Sequence, residues 1–158
     1  MKNKIATCLW FDRQGEEAAK FYASIFKNSK IGRIARYGKN SPGGPEGTVM
    51  TVEFELNGSP FLALNGGPHF TFSPAISLVV NCDTQAELDE MWDRLLAGGK
   101  EQQCGWLSDK YGVCWQIVPT ILPELVAGDA AKSQRVMDAL LKMVKLDIAT
   151  LKKAADGK

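Results

Sequence analysis

TVMTVEFELNGSPFLAL, residues 48–64, is the stretch that decides the fold. In its first half the even-numbered residues 50–56 are apolar and the odd-numbered residues 51–55 are polar, which is the period of a strand with one buried face. Asn57-Gly58 is a strong hairpin signal, so residues 59–64 are predicted to return as an antiparallel strand. A β-hairpin is therefore expected near the middle of a sheet.

The residues before this hairpin predict a strand, a helix and another strand. Ile5–Phe11 is a short apolar run with aromatic residues, typical of a mostly buried strand. Residues 15–26, GEEAAKFYASIF, place apolar residues at helical spacing. Ile31–Tyr37 is predicted as a strand, and the glycines and prolines of residues 39–47 predict a loop. Residues 5–64 thus read as strand, helix and three strands.

The same order then restarts. Ile76–Cys82 is a predicted strand, and Thr84-Gln85-Ala86-Glu87 matches a capping box at the start of a helix. Gly98-Gly99 ends that helix, and residues 101–107 and 113–118 are predicted strands. Met91-Trp92 holds the place in the second unit that Phe21-Tyr22 holds in the first. The pattern indicates an internal duplication of topology, not of sequence.

The residues from Pro119 onward form a different kind of segment. A helical stripe over residues 130–145 predicts one helix, and Asp147 is a suitable N-cap for a second, shorter one. We expect this tail to cover an exposed sheet or a partner subunit, with a ligand lid as the alternative.

Composition excludes several classes of function. Nineteen Lys and Arg balance eighteen Asp and Glu in 158 residues, so no strong basic field predicts nucleic-acid or membrane binding. Four cysteines without a CxxC pair and one histidine give no zinc-ligand spacing. No apolar run is long enough to cross a bilayer, and the start lacks a secretory signal. A cytoplasmic location with free thiols is expected.

Four motifs together carry a family resemblance: TCLWFD, EEAAKFYASIF, FLALNGGPHFTF and CGWLSDKYGVCWQIVP. They resemble the PhnB-like branch of the vicinal-oxygen-chelate superfamily, the glyoxalase and bleomycin-resistance proteins, in a branch often labelled with a 3-demethylubiquinone-9 3-methyltransferase domain. The resemblance is taken to include the tail, RVMDALLKMVKLDIATL.

The resemblance implies an α+β fold of two β-α-β-β-β modules, each curling its sheet into a half-cup with a pocket, and a homodimer. Within one domain of residues 1–158, we expect the first module at 1–70, the second at 71–120 and the helical tail at 121–158.

The superfamily's metal enzymes place His or Glu on inward positions of four strands, where a divalent ion polarises substrate oxygens. By the resemblance those positions fall near Thr7, Ala63 or Asn65, Ser77 and Gln116, none of which is His, Asp or Glu. Neutral oxygens bind divalent ions weakly, so no metal is predicted. A methyl donor usually binds at a Gly-rich turn between a strand and a helix, and none of the Gly-Gly pairs lies in such a turn. No cofactor is therefore predicted.

Two residues are candidates for acid–base catalysis. Glu53 is a pocket base or ligand anchor if its strand face is concave, and an ordinary solvated carboxylate if that face is wet. His69 could act as acid or base near neutrality, or be a loop histidine that hydrogen-bonds the backbone between the modules.

The remaining candidates are ligand-binding residues. Cys104 and Trp106 precede the last strand, where the indole offers a flat apolar wall or packs in the core. Asp109 fixes a polar ligand group or simply forms a turn. Gln116 points opposite to its apolar neighbours, into solvent or a pocket. The full predicted ligand-binding set is Thr7, Asn65, Ser77, Cys104, Trp106, Asp109 and Gln116.

The function predicted from these residues is the binding of a small, partly apolar molecule in a metal-free cup. The alternative is an enzyme, either a glyoxalase-like metal-dependent isomerase or lyase, or a metal-free acid–base catalyst that uses Glu53 or His69. A purely structural dimer is the third reading.

Overall fold

A computed structural model describes residues 4–157. The chain divides into two compact units, residues 1–72 and residues 73–158. Each unit holds one four-stranded sheet. The α+β class and the tail helices are confirmed.

The first unit contains a mixed sheet and one helix. Its strands are β1 (Thr7–Phe11), β2 (Lys30–Arg36), β3 (Val49–Leu56) and β4 (Ser59–Asn65), and α1 spans Gly15–Ile25. The strand order is β1-β4-β3-β2, with β1 parallel to β4 and the other pairs antiparallel. The predicted hairpin is confirmed: Asn57 and Gly58 both have positive φ, the backbone conformation a tight two-residue hairpin turn requires.

One face of this sheet is covered by α1. Tyr22 of the helix is fully buried and stacks on Phe54 at 6.4 Å between ring centroids, and Phe54 stacks on Phe61 of β4 at 5.3 Å. Val52 and Ala63 are buried on the same side. Burial of such apolar groups stabilises the unit by about 25 cal/mol per Å² of apolar surface removed from water.

The second unit repeats the topology of the first. Its strands are β5 (Leu78–Cys82), β6 (Lys100–Glu101), β7 (Trp106–Ser108) and β8 (Cys114–Pro119), and α2 spans Gln85–Leu96. The order β5-β8-β7-β6 has the same pattern of neighbours, with β5 parallel to β8. The predicted duplication is confirmed. Leu88, Trp92 and Leu95 of α2 are buried, and α2 packs on β5, β7 and β8.

The local signals around α2 act as the sequence predicts, with one difference. The Thr84 hydroxyl accepts the backbone N–H of Glu87 at 3.2 Å, while the Glu87 carboxylate accepts the N–H of Asp83 at 2.8 Å, one residue before the cap. Gly98 has φ +78, the left-handed conformation that ends a helix.

Two predicted elements differ from the structure by more than two residues. The strand predicted over residues 101–107 is divided into β6 and β7, because Cys104 and Gly105 both have positive φ and interrupt the ladder. The helix predicted over residues 130–145 ends earlier.

The tail contains three helices: α3 (Leu122–Val126), α4 (Ala130–Leu140) and α5 (Ile148–Ala155). α3 was not predicted; it is one short turn with proline at its start. The Asp147 carboxylate caps α5 by accepting the N–H of Thr150 at 2.6 Å, as predicted. None of the helices in the described part of the chain is long and apolar enough to cross a membrane.

Candidate functional site

The first sheet has a second face, on the side opposite α1. Because side chains alternate along a strand and paired residues share a face, the register assigns a defined set of residues to this side. We call it the first face: Cys8, Trp10, Thr51, Glu53, Glu55, Pro60, Leu62 and Leu64.

Glu53 lies in the middle row of the first face. It pairs with Leu62, which pairs with Cys8, so these three residues form one row across β3, β4 and β1. Arg33 lies where β2 departs from regular pairing with β3, and its Nη2 donates to Glu53 Oε1 at 2.6 Å. Arg33 was not predicted as a site residue, because its position depends on this irregular register and not on any local pattern.

The ion pair lowers the pKa of Glu53. The main cause is the hydrogen bond from Arg33, which favours the charged carboxylate. A general base works best with a pKa near the operating pH, so this environment weakens Glu53 as a base. It suits an anchor for a cationic or hydrogen-bond-donating group.

His69 lies in the segment of residues 66–72 that follows β4. The segment is held to Trp10, whose indole Nε1 donates to the Gly67 carbonyl at 2.8 Å and whose ring meets Phe70 edge-on at 5.0 Å. His69 is exposed. Among residues 4–157 no hydrogen bond or ion pair of its imidazole is found, so the alternative of a histidine that bonds backbone is not what the structure shows.

The second sheet also has a face opposite its helix, and three predicted site residues meet there. Gln116 of β8 pairs with Trp106 of β7 on one side and with Val79 of β5 on the other. The amide Nε2 of Gln116 donates to Ser77 Oγ at 2.8 Å. We call Ser77, Val79, Trp106 and Gln116 the second face.

The second face has apolar walls and uncommitted polar atoms. Val79 is 53% exposed, and Trp106 and Gln116 are half-buried. Neither the indole Nε1 of Trp106 nor the amide Oε1 of Gln116 is hydrogen-bonded to any residue in the range 4–157. In contrast, the indole of buried Trp115 donates to Asp109 Oδ2 at 2.8 Å. The indole N–H of Trp106 is therefore available to a ligand as a donor, and the amide oxygen of Gln116 as an acceptor.

Two predicted ligand-binding residues lie on the helix side of the first sheet instead. Thr7 pairs with Phe61, whose ring belongs to the stack under α1. Asn65 is 7% exposed; its Oδ1 accepts the N–H of Gly15 at 2.8 Å and its Nδ2 donates to the Val49 carbonyl at 3.0 Å. This placement differs from the ligand-facing side expected for both, and Asn65 acts as a structural residue.

Asp109 also has a structural environment. It is 4% exposed, and its Oδ1 accepts the N–H groups of Tyr111 and Val113 at 2.9 and 3.0 Å, while its Oδ2 accepts the indole N–H of Trp115. The turn alternative therefore describes it, because both of its carboxylate oxygens accept hydrogen bonds from its own loop and from β8. Cys104 is half-buried in the loop before β7, with φ +63.

The residues of the two faces do not fit a divalent metal site. Their carboxylates are Glu53, which is ion-paired with Arg33, and Glu55, which is ion-paired with Lys30. Among residues 4–157, no group of three or more His, Cys, Asp or Glu side chains is placed to hold a metal ion. Hydroxyl and amide oxygens alone bind such ions weakly.

Comparison with known proteins gives a family and a fold. A family model described as 3-demethylubiquinone-9 3-methyltransferase matches residues 3–118. The structure of a PhnB protein from Bacillus cereus, described as a putative 3-demethylubiquinone-9 3-methyltransferase, is 41% identical; the match covers 75% of this chain and all of that chain, with a TM-score of 0.68. None of the curated proteins compared with the chain matches it.

More distant structures share the fold alone. Protein PA1353 from Pseudomonas aeruginosa is 20% identical over 74% of this chain and 96% of that chain, with a TM-score of 0.60. A FosX fosfomycin resistance protein from Listeria monocytogenes, solved with Mn(II), is 14% identical over 73% of this chain and 90% of that chain, with a TM-score of 0.52. The family model matches no residue beyond 118, so the expectation that the resemblance includes the tail is wrong for the family model.

Proposed function

This chain belongs to the PhnB-like branch of the vicinal-oxygen-chelate superfamily, in the family described as 3-demethylubiquinone-9 3-methyltransferase. From that premise we propose that it binds a small, partly apolar molecule on the second face, without a metal. The methyltransferase description is the name of the family model, and membership does not assign methyl transfer to this chain.

The observation that carries the proposal is the row of Val79, Gln116 and Trp106. Its indole and valine surfaces are apolar, while Trp106 Nε1 and Gln116 Oε1 have no partner among residues 4–157. Ligand sites combine mostly apolar walls with a few polar groups that fix orientation. The ligand supported by this chemistry carries an aromatic or other flat ring with a group that both donates and accepts hydrogen bonds.

Ser77 supports the site by fixing the Gln116 amide. Its hydroxyl accepts from Nε2, which leaves the other amide atom, Oε1, free of this contact. A side chain fixed in this way loses less rotamer freedom when a ligand binds. Ser77 therefore acts on affinity through Gln116.

The first face supplies a second, charged surface in this proposal. Cys8 and Leu62 give apolar contact beside the Glu53–Arg33 pair. Glu53 would anchor a donor group of a ligand, with Arg33 as the competing partner. The alternative of a metal-free acid–base enzyme rests on Glu53 or His69, and the lowered pKa of Glu53 speaks against the first of these.

The partner and location predicted from the sequence remain proposals. A homodimer is supported by large apolar side chains left exposed within each unit, Phe70 at 67% in the first and Ile76 at 78% in the second. The cytoplasm is supported by four cysteines that all occur as free thiols. Light scattering coupled to gel filtration measures the first, and localisation of a tagged full-length chain tests the second.

The site is tested by titrating ¹⁵N-labelled protein with 2-naphthol, a neutral ring compound whose hydroxyl donates and accepts. The chain has four tryptophans, whose indole N–H signals are assigned by single Trp→Phe substitutions. We expect the Trp106 signal to move saturably, while those of Trp92 and Trp115, which are 3% and 2% exposed, stay in place.

The same titration with EDTA and with added Mn²⁺ tests metal independence. The account predicts one dissociation constant in both conditions and no change in melting temperature with Mn²⁺ alone. An ion that binds the folded state at a hundred times its dissociation constant would add about 2.7 kcal/mol of stability. A clear rise in melting temperature would favour the glyoxalase-like enzyme instead, and an unmoved Trp106 signal would refute the proposed site.

A further inference from the structure

The tail reaches the loop that leads into Trp106. The backbone N–H of Cys104 donates to the Met143 carbonyl at 2.8 Å, and that of Gly105 donates to the Val144 carbonyl at 2.7 Å. These two bonds add the segment between α4 and α5 to the edge of the loop. We call residues 143–148 the bracing segment.

Gly105 is confined between the bracing segment and β8. Its φ is +80, and a Cβ at this position would lie 2.9 Å from both the Ile117 carbonyl oxygen and Leu146 Cγ. Leu146 is 1% exposed, and the Ile117 N–H donates to the Gly105 carbonyl at 2.8 Å. The residue directly before Trp106 is thus fixed from both sides.

Gln85 fastens the bracing segment to α2. Its Nε2 donates to the Leu146 carbonyl at 3.1 Å, and its Oε1 accepts the N–H of Ile148 at 2.9 Å. One side chain therefore satisfies backbone groups on both sides of Asp147. Lys145 adds an ion pair from its Nζ to Asp89 Oδ1 at 3.0 Å.

We propose that the bracing segment positions Trp106 for ligand binding, with Gln85 as the positioning residue that holds the segment in place. The inference rests on the proposed function of the second face. The bracing segment lies beyond residue 118, where the family match ends. This chain thus holds the loop before Trp106 with residues that the family model does not include.

The test compares Gln85→Ala with Gln134→Ala in the full-length chain. The two glutamines form the same kind of contact, since each donates through Nε2 to an aspartate four residues later, Asp89 and Asp138 respectively. Gln134 is exposed and makes no other side-chain hydrogen bond within residues 4–157. The control therefore removes the shared helix contact and leaves the bracing contacts intact.

The readout is the position of the Trp106 indole signal without ligand, followed by 2-naphthol affinity. We expect Gln85→Ala to shift or broaden the Trp106 signal and to weaken 2-naphthol binding at least about threefold. The Trp10 signal and all signals of Gln134→Ala should stay at their wild-type positions. Lys145→Met removes the ion pairs of Lys145 and should shift the Trp106 signal in the same direction, but by less. This variant replaces Gln85→Ala in the test if Gln85→Ala does not fold.

The outcomes separate this inference from the proposed function. A Trp106 signal unmoved in whichever of the two variants folds overturns the positioning role, even if wild type binds 2-naphthol. A shifted Trp106 signal in a protein whose wild type binds no 2-naphthol supports positioning and refutes the ligand proposal. Equal effects of Gln85→Ala and Gln134→Ala would also overturn the positioning role.

Discussion

Asn65 accepts the backbone N–H of Gly15 through its Oδ1 at 2.8 Å, which joins the end of β4 to the first residue of α1. Its Nδ2 donates to the Val49 carbonyl at the start of β3. One side chain thus satisfies two backbone groups on separate elements. The sequence predicts Asn65 as a ligand-binding residue. In the structure its side chain instead joins two elements of the first unit.

Asn65→Ala should therefore destabilise the fold. The backbone N–H of Gly15 and the carbonyl of Val49 lose their partner, and a buried polar group without one costs about 1–3 kcal/mol. We expect a loss of about 2 kcal/mol in the free energy of unfolding, measured with urea. Asn81→Ala, at an exposed position of β5, should stay within about 0.5 kcal/mol of wild type. Equal stability of the two variants would contradict the junction role.

Asp109→Asn tests the turn before β8. The substitution replaces one carboxylate oxygen with an NH₂ group, which then faces an N–H donor, and leaves the other oxygen uncharged, so hydrogen bonds to a charged acceptor are lost. We expect a loss of about 2–3 kcal/mol. Asp138→Asn, at an exposed site on α4, is the matched control. Unchanged stability in Asp109→Asn, together with altered 2-naphthol binding, would restore Asp109 as a ligand residue.

The Glu53–Arg33 pair predicts a pH-dependent contribution to stability. Because the pair lowers the pKa of Glu53 in the folded state, its contribution is present above the pKa of the unfolded glutamate, about 4.3, and is lost as pH falls through the folded value. Wild type should be more stable than Glu53→Gln at pH 7 in low salt. The two should converge in acid and at high salt.

Glu46→Gln is the control for this charge change, since Glu46 is exposed and has no ion pair among residues 4–157. Unfolding by urea at pH 7 and pH 3 measures both variants. A difference between wild type and Glu53→Gln that grows in acid would show that the sign of the linkage is wrong.

Thiol reactivity distinguishes Cys8 from Cys82. Cys8 is exposed on the first face, whereas Cys82 is fully buried, and burial together with the nearby Glu87 and Asp83 carboxylates raises its pKa to about 11. The thiolate is the reactive form. Partial burial raises the pKa of Cys8 too, but its side chain is exposed and that of Cys82 is fully buried, so at pH 8 iodoacetamide should modify Cys8 well before Cys82. Peptide mass spectrometry follows both; equal rates would contradict the burial of Cys82.

The sequence predicts the elements whose signals are local. The hairpin at Asn57-Gly58, the cap at Thr84 and the cap at Asp147 each depend on a few adjacent residues, and the structure confirms all three. Gln116 could be identified because it is polar between the apolar residues Trp115 and Ile117. These features can be predicted from the sequence because they do not depend on which strands pair.

The rest depends on register, which no local pattern contains. β1 is apolar at nearly every position, so its sequence does not tell which of Thr7 and Cys8 faces α1; a shift of one residue exchanges the two faces. Arg33 reaches Glu53 only because β2 and β3 pair irregularly. The contacts of the bracing segment join residues far apart in sequence, such as Gln85 and Ile148.

The central claim, that Trp106 and Gln116 form a ligand site, is tested most directly by calorimetric titration with 2-naphthol. Wild type, Trp106→Ala and Gln116→Leu are compared with Gln134→Leu at an exposed position. The account predicts that the first two variants each weaken binding about tenfold, about 1.4 kcal/mol, with unchanged melting cooperativity, and that Gln134→Leu binds as wild type does. Equal affinity in all four proteins would contradict it.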